Sequence, residues 1–178
     1  MINELIDYIY RSIKLDRSLY GNPKNFHELS IYYAAIIMIL DGIAGAVAVS
    51  SFYKSNIILS GLTAIIGWVV WSILIYIIGI KLFPDPDTKA DLRKVLIIVG
   101  FAHSPGLLRI LGIIPGLAIP IIFFTQFWIF ASLIIGVKEG LNFKSNFKSL
   151  GVILIAFLIV AIVSVSYLTS VLENLPQV

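Results

Sequence analysis

The fold of this chain is decided by one apolar stretch of 43 residues, Val95–Val137, which reads VLIIVGFAHSPGLLRILGIIPGLAIPIIFFTQFWIFASLIIGV. As a continuous α-helix it would be ~65 Å long, about twice the thickness of the hydrocarbon core of a bilayer. The stretch must therefore fold back once. The charged residue Arg109 and the turn-forming pair Pro115–Gly116 mark the reversal. The sequence thus predicts two membrane spans here, near residues 93–111 and 115–137.

Three further apolar blocks reach or exceed the ~18 residues that cross a bilayer as a helix. The composition agrees, because 59% of the chain is hydrophobic and only 13% is charged, whereas soluble domains carry about 25% charged residues. We therefore predict an all-α integral membrane protein with five transmembrane helices in a membrane domain of residues 29–173, followed by a short outer tail, 174–178. The predicted spans are about 31–52, 57–82, 93–111, 115–137 and 150–172.

The N-terminal segment, residues 1–28, is amphipathic. Over residues 2–15, isoleucines recur near one face of a predicted helix, and acidic and basic side chains lie on the other faces. This pattern is typical of a helix that lies in the membrane interface. A helix packed under the bundle is the alternative, and the sequence does not choose between the two.

Lysine and arginine residues are unevenly distributed between the two sides of the predicted fold. Two, Lys54 and Arg109, lie on one side, against eleven on the side of the N-terminal segment. Because short loops rich in these cations stay in the cytoplasm, the N-terminus is predicted to be cytoplasmic and the C-terminus outside. The formal net charge of +3 is accordingly assigned to lipid headgroups and not to nucleic acid. The eleven are Arg11, Lys14, Arg17, Lys24, Lys81, Lys89, Arg93, Lys94, Lys138, Lys144 and Lys148.

Three polar side chains fall near the middle of predicted spans. Counted from Ser30, Arg93 and Pro115 respectively, Asp41 lies ~16 Å deep, His103 ~15 Å and Gln126 ~16 Å. Burying a charged group at such depth costs ~2.5–3.5 kcal/mol, so we expect the three to face one another inside the bundle, with the indole of Trp68 at similar depth. Such a layer is either a binding or proton-handling site, or a structural clasp of interhelical hydrogen bonds.

Two other features concern the same spans. Pro105 removes a backbone hydrogen bond and is expected to kink the third span. Arg109, close to the outer boundary, is expected to extend its side chain towards the lipid headgroups. In the first span, small residues recur at every fourth position and predict the close approach of another helix. This helix-packing stripe consists of Gly42, Ala46 and Ser50.

Residues that carry common site chemistries are scarce. The chain has no cysteine and only two histidines, His27 and His103, so thiolate metal sites and metal-binding histidine motifs are excluded. Asp41 is the only aspartate in a predicted span, and Ser104 adjoins His103 on the same helix instead of approaching it from another. We therefore predict no catalytic residues, no metal, no cofactor and no enzymatic activity.

A series of short motifs resembles the Yip domain family of five-span membrane proteins, first named as Ypt/Rab-interacting proteins. The most specific part is Gly-Phe-Ala-His-Ser-Pro-Gly at 100–106, whose proline is followed ten residues later by Pro115–Gly116. Order and spacing agree over roughly residues 60–160, and the resemblance is to the compact prokaryotic branch. It implies structural roles for Gly79, Gly100, Ala102, Pro105, Pro115, Gly116 and Trp128.

For eukaryotic members, the resemblance implies vesicle traffic between endoplasmic reticulum and Golgi, binding of Rab-type GTPases, and membrane shaping. The segment Ser18–Pro23 is similar to their Asp-Leu-Tyr-Gly-Pro motif but has serine for aspartate and an inserted asparagine, so GTPase binding is not predicted here. We expect a non-enzymatic, membrane-organising or partner-binding scaffold, with the bilayer, other membrane proteins or further copies of the chain as partners. The alternative is a small transporter, channel or lipid-moving protein that uses the midplane layer.

Overall fold

The computed structural model describes residues 2–50, 54 and 56–173, and the side chains of these residues up to Ser166. A π-helical segment, Ile77–Leu82, continues α4, and a 3₁₀-helix, Ser104–Ile113, continues α5. The α-helices of the described part are α1 (Ile2–Ile13), α2 (Arg17–Gly21), α3 (Ser30–Val49), α4 (Ile57–Tyr76), α5 (Leu92–Ala102), α6 (Ala118–Leu141) and α7 (Asn146–Glu173).

Five helical segments are long and apolar enough to cross a bilayer, and an N-terminal helix precedes them. The predicted all-α membrane fold with five spans is therefore confirmed. The predicted end of the first span at residue 52 and the predicted tail, 174–178, lie outside the described residues. The five segments are Ser30–Val49, Ile57–Leu82, Leu92–Ile113, Ala118–Leu141 and Asn146–Ser166.

The chain reverses between the third and fourth spans at the predicted Pro115–Gly116 pair, but not at Arg109. Arg109 lies four residues before the end of the 3₁₀-helix, and residues 114–117 make the turn. Gly116 has a φ of +84° there, a left-handed conformation that glycine adopts without steric cost. The prediction that Arg109 marks the reversal is wrong because its guanidinium has partners inside the bundle, so the charge does not end the span.

The first span, α3, is central and contacts α4, α5, the 3₁₀-helix and α6. The third span approaches it most closely where glycine meets alanine. A Cβ atom on Gly100 would lie 2.5 Å from that of Ala34, and one on Gly112 would lie 2.7 Å from that of Ala48. Residues without a large side chain thus allow the two backbones to pack against each other.

The predicted small-residue stripe on α3 makes its closest contact at Gly42. A Cβ atom there would lie 2.7 Å from the Cβ of Ala64 on α4. Ala46 is buried at 4% exposure, whereas Ser50 is exposed and its hydroxyl donates to the carbonyl of Val47 at 2.7 Å. The close approach of α4 therefore depends on the first member of the stripe.

Three connecting segments meet at one end of the bundle, which we call the basic end. The Asp85 carboxylate accepts hydrogen bonds from Lys148 Nζ at 2.6 Å and from the backbone N–H of Lys144 at 3.1 Å. Arg93 Nη2 donates to the carbonyl of His27 at 3.1 Å. These contacts join all three segments on the side that the charge count predicts to be cytoplasmic. With the adjoining helix ends that make these contacts, the basic end comprises residues 22–29, 81–94 and 142–148.

α1 and α2 form a helical hairpin, residues 2–21, that packs along α5, the 3₁₀-helix and α6. The Ser12 hydroxyl donates to the carbonyl of Phe101 at 2.5 Å and lies 3.0 Å from the hydroxyl of Tyr20. The Tyr20 hydroxyl in turn lies 2.8 Å from that of Ser132 on α6. This buried chain of hydroxyl groups fixes the hairpin to the third and fourth spans.

The structure shows that α1 packs on the bundle, which is one of the two positions that the sequence left open. One face of α1 is packed on the bundle, where Tyr8 and Ser12 are 4% and 0% exposed. Another face is open, with Ile2, Ile6 and Tyr10 more than half exposed. α1 is therefore packed against the spans and also presents an apolar stripe outward.

Candidate functional site

The side chain of Asp41 is enclosed inside the bundle, at 6% exposure, and both of its carboxylate oxygens have partners on the third span. Oδ2 lies 2.9 Å from Nδ1 of His103, and Oδ1 accepts a hydrogen bond from Nη1 of Arg109 at 2.8 Å. A carboxylate and a guanidinium at this distance form an ion pair, so the negative charge is compensated within the protein.

Arg109 connects this ion pair to the fourth span. Its Nη2 donates to Oε1 of Gln126 at 2.9 Å, and its Nε donates to the hydroxyl of Thr125 at 3.2 Å. The Thr125 hydroxyl lies 2.8 Å from the carbonyl of Ile121, to which it donates. One guanidinium therefore links α3, the 3₁₀-helix and α6. The polar cluster consists of Asp41, His103, Arg109, Thr125 and Gln126.

The 3₁₀-helix explains how two residues six positions apart reach the same carboxylate. With three residues per turn, side chains at i and i+3 eclipse, so one row holds His103, Gly106, Arg109 and Gly112. In an α-helix His103 and Arg109 would point about 120° apart. The row faces α3, since a side chain on Gly106 would overlap the carboxylate of Asp41.

The change from α- to 3₁₀-helix occurs at Pro105, which has no N–H for a helical hydrogen bond. α5 ends at Ala102, and the carbonyl of Phe101 accepts instead from the hydroxyl of Ser104 at 2.7 Å. Ser104 and Pro105 are both buried. The local sequence thus ends the α-helix directly before His103, where the row begins, and satisfies the freed carbonyl of Phe101.

The structure brings together only some of the side chains that the sequence places in one midplane layer. Asp41 and His103 are in direct contact, whereas Gln126 is reached through Arg109. The indole N–H of Trp68 does not join the cluster, because it donates to the carbonyl of Leu96 at 2.8 Å. The layer therefore has an arginine at its centre that sequence reasoning did not place there.

The predicted outward orientation of Arg109 is wrong. Its side chain is only 15% exposed and points into the bundle. The signal that could have found it is charge balance, since Asp41 is the only acidic residue inside a predicted span. A buried carboxylate without a cation is strongly unfavourable, so the search for its partner leads to the nearest basic residue in a neighbouring span.

Two cavities border His103. One, of about 320 Å³, lies between α3 and α4 and is lined by Asp41, Arg109 and His103 together with hydroxyl groups of α4. The other, of about 360 Å³, is lined mainly by apolar side chains of α4 to α7, with Gln126 and His103 as its polar groups. The imidazole thus contacts a polar cavity and an apolar one.

The chemistry open to the cluster is limited by its pairing. Asp41 and Arg109 compensate each other's charge, and Nε2 of His103 has no hydrogen-bond partner among the described side chains. That nitrogen can form a hydrogen bond with a polar ligand in a cavity. Within the described residues, no group of three His, Cys, Asp or Glu side chains lies close enough to hold a metal ion.

The other motif positions lie at tight or irregular points of the fold. A Cβ atom on Gly79, in the π-helical segment, would lie 3.1 Å from the side chain of Leu141. Trp128 Nε1 donates to the carbonyl of Ile13 at 2.9 Å and so binds the hairpin to α6. Pro115–Gly116 belongs to the turn between the third and fourth spans. Each contact is structural.

Comparison with known proteins gives one match. The model of the Yip1 domain family matches residues 17–168, which include α2, every residue of the polar cluster and the three segments of the basic end. No curated protein and no solved structure was found to match the chain. The matched region covers most of the sequence and agrees with the motifs between Gly79 and Trp128. The chain therefore belongs to the Yip1 domain family.

Proposed function

We propose that the protein is a non-enzymatic membrane scaffold that organises the bilayer or binds partner proteins at its basic end. The observation that supports this most is the internal pairing of the polar cluster. Both carboxylate oxygens of Asp41 and all three nitrogens of the Arg109 guanidinium have partners within the bundle. Groups paired in this way hold helices in register and have little capacity left for a substrate. The cluster then acts as a clasp between three spans.

The basic end has features of a docking surface for an acidic partner. Hydrogen bonds of Asp85 and Arg93 join its segments, so they form one surface and not three independent loops. Exposed lysines lie on or beside this surface at Lys24, Lys81 and Lys89. With the adjoining helix ends, these segments hold seven lysine and arginine residues against four acidic ones, and such an excess of cations favours association with a surface of opposite charge.

Co-purification from native membranes tests the scaffold proposal. The variant Lys89→Glu reverses one exposed charge at the basic end, and Lys54→Glu is the matched control at the opposite end. We expect specific partners to co-purify with the wild-type protein and with the control, and to be lost with Lys89→Glu. An identical set of co-purifying proteins for both variants would contradict a role of the basic end in binding.

A second candidate function, a small transporter or lipid-moving protein, is favoured by the cavity that Asp41, His103 and Arg109 line. Purified protein in liposomes distinguishes the two. The scaffold proposal expects no protein-dependent flux of protons, ions or lipid. A flux that Asp41→Asn abolishes, in protein that remains folded, would overturn the scaffold in favour of transport.

A further inference from the structure

The apolar surface that the spans present to lipid is uneven in height. On α4 and the first residue of the π-helical segment, exposed apolar side chains run from Ile57 to Ile77, which is ~30 Å of helix. On α6 they run only from Ile119 to Phe127, and no residue of α6 after Phe127 is exposed. That distance is ~12 Å. The half of α6 nearer the basic end thus presents only partly exposed side chains to lipid.

The α1–α2 hairpin is one of the elements that cover this half of α6, and it reaches deep along the helix. Ser12 contacts Ser132, which lies six residues before Lys138, the first charged residue of α6. Trp128, whose indole binds the carbonyl of Ile13, lies ten residues before Lys138. At 1.5 Å per residue, the end of α1 is therefore ~9–15 Å inside the level of Lys138.

The outer surface of the hairpin is charged at this depth. Arg11 is paired with Asp16 at 2.8 Å and with Asp7 at 3.5 Å. Lys14 and Arg17 are exposed, and among the described residues neither takes part in an ion pair. Lys14 Nζ lies 4.2 Å from the centre of the Tyr10 ring, which leaves its charge uncompensated. Two unneutralised cations therefore lie close to the reversal of the hairpin.

Hydrocarbon does not accommodate this surface. An unpaired lysine or arginine costs ~2.5–3.5 kcal/mol at the centre of the bilayer on insertion scales. The exposed part of α1 instead has the composition of a helix at a polar–apolar boundary, since the apolar stripe of Ile2, Ile6 and Tyr10 runs beside the charged stripe of Asp7 and Arg11. The boundary of the bilayer is expected where such a helix lies.

We propose that the leaflet at the basic end is locally thinned along the α1–α2 hairpin, and that phosphates of anionic lipids descend there to pair with Lys14 and Arg17. Beside the hairpin, the boundary between lipid headgroups and hydrocarbon lies closer to the middle of the spans. Beside α4, it stays at the end of the apolar surface that covers the whole helix. The phosphates supply the negative charge that the protein does not provide at these two side chains.

Depth measurements test the thinning, and the absence of cysteine from the chain makes single-cysteine labelling direct. A fluorescent label at Ser18→Cys reports the exposed hairpin, and one at Ile66→Cys, nine residues into the belt of α4, is the control. In phosphatidylcholine–phosphatidylglycerol vesicles, we expect the Ser18 label to lose more fluorescence with headgroup-nitroxide lipid than with acyl-chain-nitroxide lipid, and the Ile66 label the reverse. Quenching of both labels mainly by the acyl-chain nitroxide would overturn the proposal.

Lipid charge tests the pairing with phosphate. Raising the phosphatidylglycerol fraction is expected to increase headgroup quenching at Ser18→Cys, and combining Lys14→Gln with Arg17→Gln is expected to abolish that increase. Lys24→Gln with Lys89→Gln removes the same charge elsewhere at the basic end and should preserve it. An equal response of the two double variants would overturn phosphate pairing, and loss of headgroup quenching in both would do the same.

Discussion

At the scale of single residues, the carboxylate of Asp41 depends on a cation from the 3₁₀-helix that begins directly after its histidine partner. Arg109 meets one oxygen and His103 the other, at 2.8 Å and 2.9 Å. The strength of such a buried pair is seen most clearly when one member is removed, because the other then remains as an uncompensated charge.

We expect Asp41→Asn and Arg109→Gln each to lower the free energy of unfolding by ~3–5 kcal/mol. The double variant should lose much less than the sum, because it leaves no unpaired charge. Reversible unfolding of the purified protein in mixed micelles measures the cycle. Thr63→Ala, at an exposed position of the same cavity, is the control and should change the value by less than ~0.5 kcal/mol. Strictly additive losses would show that the pair is not coupled.

Gly106 is the second residue on which the cluster depends, because a side chain there would overlap the Asp41 carboxylate. We expect Gly106→Ala to destabilise the protein by ~1–3 kcal/mol through overpacking. Gly45→Ala is the matched substitution on α3, where a Cβ atom would meet nothing within 4 Å. It should be neutral or stabilise by up to ~1 kcal/mol, since alanine is the better helix former. Equal effects in the same unfolding assay would argue against close packing at Gly106.

Counting helical rise along the sequence was enough to select Asp41 and His103, because both positions depend only on depth. The inward direction of Arg109 could not be obtained in this way. An α-helical period places Arg109 about 120° from His103, whereas the observed three-residue period places both towards Asp41.

At the scale of elements, the sequence predicts that the third span is interrupted but does not predict the 3₁₀ conformation that follows the interruption. Pro105 predicts an interruption, and Ser104 is at hand for the freed carbonyl. A run of ten residues in 3₁₀ conformation is uncommon and depends on the contacts of Gly106 and Gly112 with α3. Such long-range contacts have no counterpart in local propensity.

The connection between α4 and α5 is held by hydrogen bonds to the carboxylate of Asp85, and these depend on pH. The pKa of Asp85 lies below its usual value of 3.8, first because Lys148 donates a hydrogen bond to the carboxylate and next because the N–H of Lys144 does. A folded-state pKa below the unfolded one means that this contribution to stability is complete above the usual pKa. It is lost as the pH falls through the lower, folded-state value.

Acidification from about pH 6 to about pH 2 should therefore release residues 83–91 from the start of α7. Spin labels at Thr88→Cys and Phe147→Cys measure the change as a longer or broader distance distribution. Asp85→Asn should show the released distribution at both pH values, whereas Asp87→Asn, an exposed neighbour, should keep the response. A pH response that survives in Asp85→Asn would assign it to another carboxyl group.

At the scale of the whole molecule, the number of spans follows from the lengths of the apolar blocks. Val95–Val137 must fold back because one straight helix of that length would be longer than the bilayer is thick. The depth of the hairpin does not follow from the sequence. It is set by contacts such as Ser12 with Ser132, which are far apart in the chain and have no recognisable motif. Hydropathy therefore predicts the spans but not how the N-terminal segment covers them.

The charge count predicts that the basic end is cytoplasmic. Single cysteines at Lys24 and Thr88 should be protected in intact cells from a membrane-impermeant maleimide, and a cysteine at Lys54 should react. A reporter fused after Val178 should lie outside. Labelling of Thr88→Cys and Lys54→Cys from the same side would contradict five membrane crossings.

Because the 3₁₀-helix of the third span has three residues per turn, adding or removing a residue there changes the direction of all the side chains that follow. Deleting one residue between Gly106 and Arg109 would rotate the rest of the span by a third of a turn and turn the guanidinium away from Asp41. Adding or removing three residues in the 3₁₀-helix would restore the direction but change the height by ~6 Å. A change in the length of this stretch therefore keeps the guanidinium directed towards α3 only in multiples of three residues, a spacing rule that an α-helical span would not impose.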